Sequence, residues 1–188
     1  MANRSRWALV ALLFMVILSA CGKEEDTAFQ IFMTDDQGSI AGIEEELQSK
    51  LQEKFGDRIT IEVISSPIYN QQKLLLEYVG KANDLMIMPE NDMKAYGSQG
   101  SHIELEDTFN PKTYSRGFFE GGTYEIDENG DMSKDMVTGD HLFGIPLDEM
   151  KIFQELNYPA KNLFATIPVS TSDIALAKEV LKFMTELN

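Results

Sequence analysis

Between Phe29 and Met88 the spacing of apolar residues switches from 2 to 3.6 and back, which constrains the fold more than any other feature of the chain. Three short apolar segments, Phe29 to Met33, Ile59 to Ile64 and Leu85 to Met88, read as strands. Between the first two, apolar residues at 40, 43, 47, 51 and 55 predict a helix from Ser39, its N-cap, to Gly56, expected to close it in the left-handed conformation. Between the second and third, Asn70 caps a second helix whose Leu74, Leu75, Tyr78 and Val79 are expected to face the sheet. The result is a βαβαβ unit. Crossovers of this length make the strands parallel, so the loops that follow them open on one edge, where ligands of open α/β sheets bind.

Beyond Pro89 the pattern predicts a short helix to about Ser98 and an extended segment from Ile103 to Leu105. Periodicity then fails from Glu106 to Gly139, which reads as a loop-rich insertion with one hairpin around Asn129-Gly130. Asp127 to Asp131 has the look of a calcium loop, but the glycine stands fourth and no glutamate stands twelfth, so a solvated turn is the better reading. His141 to Pro146 is extended, Lys151 to Leu156 reads as another strand, and a last helix starts at Ser170 or Thr171. Its Ile174, Ala177, Val180, Leu181 and Met184 share one face.

The N-terminus is an address. Arg4 and Arg6 precede the apolar run from Trp7 to Leu18, whose twelve residues fall short of the roughly 20 that span a bilayer. The run ends in Leu18-Ser19-Ala20-Cys21, which resembles the lipobox of bacterial lipoproteins. That resemblance implies a signal peptide over residues 1–20, a lipid on Cys21, a tether over 21–28, and a place on the extracytoplasmic face of the cell membrane. Cys21 is the only cysteine, so no intramolecular disulfide is available. Loss of Arg4 and Arg6 moves the formal charge from -15 to -17, a surface that repels nucleic acid and anionic lipid.

Asn83 to Pro89 at the third strand, and Gly139-Asp140-His141-Leu142-Phe143-Gly144-Ile145-Pro146-Leu147, together with the lipobox, resemble the extracellular solute-binding lipoproteins of ABC-type importers, most closely the carbohydrate group. Glu155 to Tyr158 with Lys161 to Phe164 is similar to that family's crossing to a second lobe, and Pro168 to Lys178 to the opening of that lobe. The resemblance implies an α/β lobe of periplasmic-binding-protein type over residues 29–150, followed by a crossover segment and helix over 151–188. A first lobe with only a stub of the second is therefore expected, with the last helix packed back or exposed. It also implies a sugar, oligosaccharide or peptide as ligand and membrane permease subunits as partners, with no cofactor.

The expected ligand contacts are Asp35, Asp36, Tyr69, Glu90 and Asp92 on the strand edge, with Phe143 and Asp148 from the returning segment. Carboxylates accept hydrogen bonds from hydroxyls, and an aromatic ring covers the apolar side of a pyranose. Without a tryptophan after the leader, stacking falls to Tyr or Phe. The alternative is an accessory or interaction lipoprotein that no longer delivers cargo. An enzyme is not expected: no Gly-x-Ser-x-Gly or phosphate-cradling loop is present, and His102 and His141 lack local ligand spacing for a metal.

Overall fold

The chain alternates strand and helix in the order the periodicity predicts: β1 (Phe29–Thr34), α1 (Glu44–Phe55), β2 (Ile61–Ser66), α2 (Gln71–Gly80), β3 (Leu85–Pro89) and α3 (Glu90–Gly97). A hairpin follows, β4 (Phe118–Ile126) and β5 (Met132–Leu142), then β6 (Ile145–Pro146), α4 (Lys151–Glu155), β7 (Leu163–Thr166) and α5 (Ile174–Glu186). The computed structural model describes residues 28–38, 42–126, 132–158 and 161–188. The leader, Cys21, Ser39, the Asn129-Gly130 turn and the calcium-like loop lie outside these described residues. Among the described residues no helix is long and apolar enough to cross a membrane.

Five strands form one sheet in the order β2-β1-β3-β7-β6. β1 pairs in parallel with both β2 and β3, while β7 runs antiparallel to β3 and to β6. Four of the five therefore point one way. The sheet is covered on both faces, which is why Leu85 to Pro89 is a continuous buried run rather than an alternating one.

On the first face, Phe29, Ile31 and Met33 pack against Leu47, Leu51 and Phe55 of α1 and against Ala177, Val180, Leu181 and Met184 of α5. Phe55 meets Phe183 edge to face with ring centroids 5.5 Å apart. The last helix therefore packs back on the sheet. On the second face, Phe32, Met86 and Met88 pack with Leu74 of α2, Met93 of α3, Phe143 and Phe164.

The outer edge of β2 is closed by side chains rather than by a strand. Its outward N–H groups at Ile61 and Val63 donate to Gln52 Oε1 and Gln48 Oε1 of α1, each at 2.9 Å. Capping these donors makes the edge a poor template for another chain.

Several local expectations are corrected. Gly56 ends α1 at φ -62, a right-handed conformation, and Ile43 stands at the N-cap of α1 without a side-chain bond. Asn70 does cap α2, accepting from the amides of Gln72 and Lys73 at 2.8 and 3.1 Å, but Leu75 and Val79 face outward at 51% and 67% exposure. Of its apolar residues, α2 lays down only Leu74 and Tyr78 on the sheet. Lys151 to Glu155 is helical, not a strand, with Ile152 and Phe153 buried together. The last helix starts at Asp173, whose carboxylate caps the Leu176 amide at 2.9 Å. The extended segment at 103–105 is present, with Ile103 donating to Ile167 O at 2.8 Å and Leu105 to Leu142 O at 2.9 Å.

The aperiodic stretch contains a long ribbon, with Phe118 opposite Leu142 and Tyr124 opposite Met136. Phe119 packs with Phe143 and Leu142 is buried, while Phe118, Met136 and Val137 are exposed, so apolar residues fall on both sides of the ribbon and leave no alternation to read. Its base is seated by Gly117, where a Cβ would fall 1.8 Å from the Gly144 carbonyl oxygen.

Candidate functional site

The ends of β1, β2, β3 and β6 bring residues 35–38, 67–70, 90–92 and 147–149 to one rim of the sheet. The segment entering β7 joins them, since the Glu90 amide donates to Asn162 O at 2.9 Å. The common rim expected from parallel strands is therefore present.

Its centre is Asp92, in the first turn of α3 and only 8% exposed. The Tyr69 hydroxyl donates to both its carboxylate oxygens, at 2.9 Å to Oδ2 and 3.1 Å to Oδ1. Burial raises the Asp92 pKa, the Tyr69 bond lowers it, and the charge of Asp36 raises it further. Burial also raises the Tyr69 phenol, with Asp92 and Asp36 adding to the effect. Asp36 itself is exposed. Three side chains from three loops thus act on one another where the strands end.

Tyr69 is placed by its neighbours: Ser66 Oγ donates to Ile68 O at 3.0 Å, turning the chain, and Asn70 then opens α2. Asp35 is buried and accepts the Gln37 amide at 2.9 Å, so it shapes the turn that presents Asp36. Glu90 pairs with Lys94 at 2.5 Å, one turn along α3.

Asp148 reaches the same rim from β6, with β7 between it and β3. It is engaged by Arg116, which also lies 3.6 Å from Glu149 and 5.3 Å from the centre of the Phe164 ring. Arg116 further donates to Lys161 O at 3.4 Å. Arg116 was not legible as a rim residue, because it comes from a single turn at Ser115–Gly117, just before β4, in the stretch where periodicity fails.

Phe143 is a correction. It is fully buried between the sheet and the hairpin, 5.1 Å from the Phe119 ring, so it packs beneath the site and cannot cover a ligand. Its position after β5 turned it inward, toward the face that Phe164 also occupies.

Both histidines flank this ring, His141 at 5.8 Å and His102 at 6.5 Å. His141 Nδ1 lies 2.9 Å from Glu106 and 3.4 Å from Glu104. His102 is buried and its pKa is pushed down to about 3 by loss of water, so the ring is neutral. Its Nε2 is 2.5 Å from the Tyr78 hydroxyl, which donates to Met88 Sδ at 3.6 Å. Among the described residues, His102 Nδ1 has no hydrogen-bond partner. Among them, too, no group of His, Cys, Asp and Glu is arranged to hold a metal ion.

A cleft of about 800 Å³ opens at the opposite rim, lined by Gln30, Glu62, Lys81, Asp84, Ser170 and Asp173 among others. Burial raises the Asp84 carboxyl, but the Gln30 amide donates to it at 3.0 Å, so this group is already used to join β1 to β3. The volume lies at one rim and the converging functional groups at the other. The rim at Asp92 is the stronger candidate, because parallel strands present their loops there.

No protein family and no curated protein matches the sequence. Among solved structures, the chain is similar to an extracellular solute-binding protein of family 1 from Alicyclobacillus acidocaldarius, at 21% identity and a TM-score of 0.42, over 66% of this chain and 29% of that one. It is similar also to CpMnBP1 with mannotriose bound, at 16% identity and a TM-score of 0.35, over 70% of this chain and 34% of that one. The matched region spans about a third of those proteins, and the chain bears a partial resemblance to solute-binding proteins in a mixed α/β fold.

Proposed function

We propose that the chain is a solute receptor, tied to the outer face of a cell membrane by a lipid on Cys21, which captures a small polar solute on the lobe of residues 29–150. The finer reading is a sugar or oligosaccharide passed to the permease subunits of an ABC-type importer. The observation that supports it is the meeting of Asp36, Tyr69 and Asp92 at the carboxyl ends of parallel strands. A phenol and two carboxylates offer donors and acceptors to hydroxyl groups, and a carboxylate held in a buried place is a group kept for an interaction rather than for stability. A second reading, an accessory module without cargo, draws support from Glu90 and Asp148, whose charges are already met by Lys94 and Arg116.

A thermal-shift panel of sugars, oligosaccharides and oligopeptides on the full chain separates the two. A ligand at about 100 times its dissociation constant adds roughly 2.7 kcal/mol of stability. Tyr69→Phe and Asp92→Asn are expected to abolish that gain. If no solute shifts the melting temperature, the accessory reading stands instead.

A further inference from the structure

Every exposed residue of α2 is uncharged: Gln71, Gln72, Leu75, Leu76, Val79 and Gly80. In a chain with a quarter of its residues charged, such a face is unusual for a helix on the surface. Leu76 and Val79 are each 67% exposed, and Ile68, in the loop before α2, is 78% exposed. Ile64, 39% exposed, lies in register with Phe32, which packs beneath α2, so it belongs to the same side of the sheet. Single exposed apolar residues need no explanation, but a contiguous patch marks a surface that meets something apolar.

The course of the chain says what that is. α2 runs against the strands, so its C-terminal end lies at the rim opposite Asp92. Ala28 enters β1 at that same rim, and Ala28, Lys81 and Ala82 line one cleft there. Gln30 and Asp84 are bonded across the strands, the Asp84 amide donating to Gln30 O at 2.8 Å, which sets the two chain paths side by side. Seven residue steps separate Ala28 from Cys21, a reach of at most about 25 Å, while α2 is about 15 Å long. A lipid on Cys21 would keep the patch within reach of the bilayer.

We propose that the outer face of α2 with Ile68 docks on the lipid surface that holds the Cys21 anchor. This rests on the lipid-anchor reading above. The expected surface is zwitterionic, since the acidic chain is repelled by anionic headgroups.

The test uses the full chain produced with its lipid and incorporated into phosphatidylcholine vesicles, carrying a fluorophore through Leu76→Cys or, on the hairpin strand β5, Val137→Cys. Flotation with the vesicles reports the anchor, and quenching by nitroxide lipids reports docking. Docking predicts quenching at position 76 about three-fold or more above that at 137. Equal quenching in protein that floats overturns the docking and leaves the anchor intact. Failure to float removes the anchor and this proposal with it. Leu76→Glu, at an exposed position that leaves the core untouched, is expected to detach the face without loss of flotation. A dimer seen by light scattering and dissolved by Leu76→Glu would assign the patch to a second copy instead.

Discussion

The two faces of the sheet are built differently. The face under α1, α4 and α5 is filled by aliphatic residues, phenylalanines and the methionines Met33, Met150 and Met184. The face under α2 and α3 adds a buried tyrosine–histidine pair to its methionines and aromatic rings, and its helix α2 exposes Leu75, Leu76 and Val79. One face concentrates packing energy, while the other carries polar groups and exposed patches that cost stability and point outward to function. The rim at Asp92 belongs to the second, through α3.

Core truncation sharpens this contrast most. Phe55→Ala on the first face should cost about 3–5 kcal/mol in denaturant unfolding, since the ring is buried and its edge-to-face partner Phe183 is left beside a void. It should leave ligand response at the rim unchanged in the folded fraction. An equal cost for removing an α2 side chain from its outer face would erase the difference between the faces.

Next in size is the buried pair. Tyr78→Phe leaves a second nitrogen of His102 unpartnered and should cost about 1–3 kcal/mol, with a smaller further loss when His102→Leu is added. The histidine also sets an acid limb. Its folded pKa lies near 3, below the unfolded value of 6.5, so the unfolded chain binds the proton first. Stability should therefore fall as pH drops from 6.5 toward 3, by up to about 1.4 kcal/mol per pH unit, and His102→Leu should flatten that slope in acid titrations of unfolding.

Asp92 behaves with the opposite sign. Its folded pKa is raised above the ordinary 3.8 by burial, so its contribution is favourable below that value and is lost as pH rises through the folded pKa. Asp92→Asn should leave the protein at pH 7 as stable as the parent, within about 1 kcal/mol, or more stable, while ligand response disappears. A marked destabilisation at neutral pH would make Asp92 a structural residue. Smallest of all, Leu76→Glu should change unfolding stability by less than about 0.5 kcal/mol, because that residue is 67% exposed and outside the core.

The sequence reached the architecture of residues 29–97 because α1, α2 and β2 each have one buried side recorded in their period, while β1 and β3 are short, largely apolar runs. It placed a hairpin around Asn129-Gly130, on either side of which β4 and β5 do pair, but mistook Lys151 to Leu156 for a strand because the five helical residues hold little more than one turn. At the rim it named Asp36, Tyr69 and Asp92, which the fold does gather, and Phe143, which the fold buries. Arg116 escaped it altogether.

Local pattern alone determined three strands, their common direction and the rim on which their loops open, since backbone periodicity and crossover length are properties of neighbouring residues. Only the tertiary structure decided that β7 enters the sheet beside β3, that Asp92 is sealed by Tyr69 across 23 positions, and that Tyr78 meets His102 across 24. Those contacts depend on which strands lie side by side and on how much water is excluded between them, and neither quantity is written in any one stretch of chain.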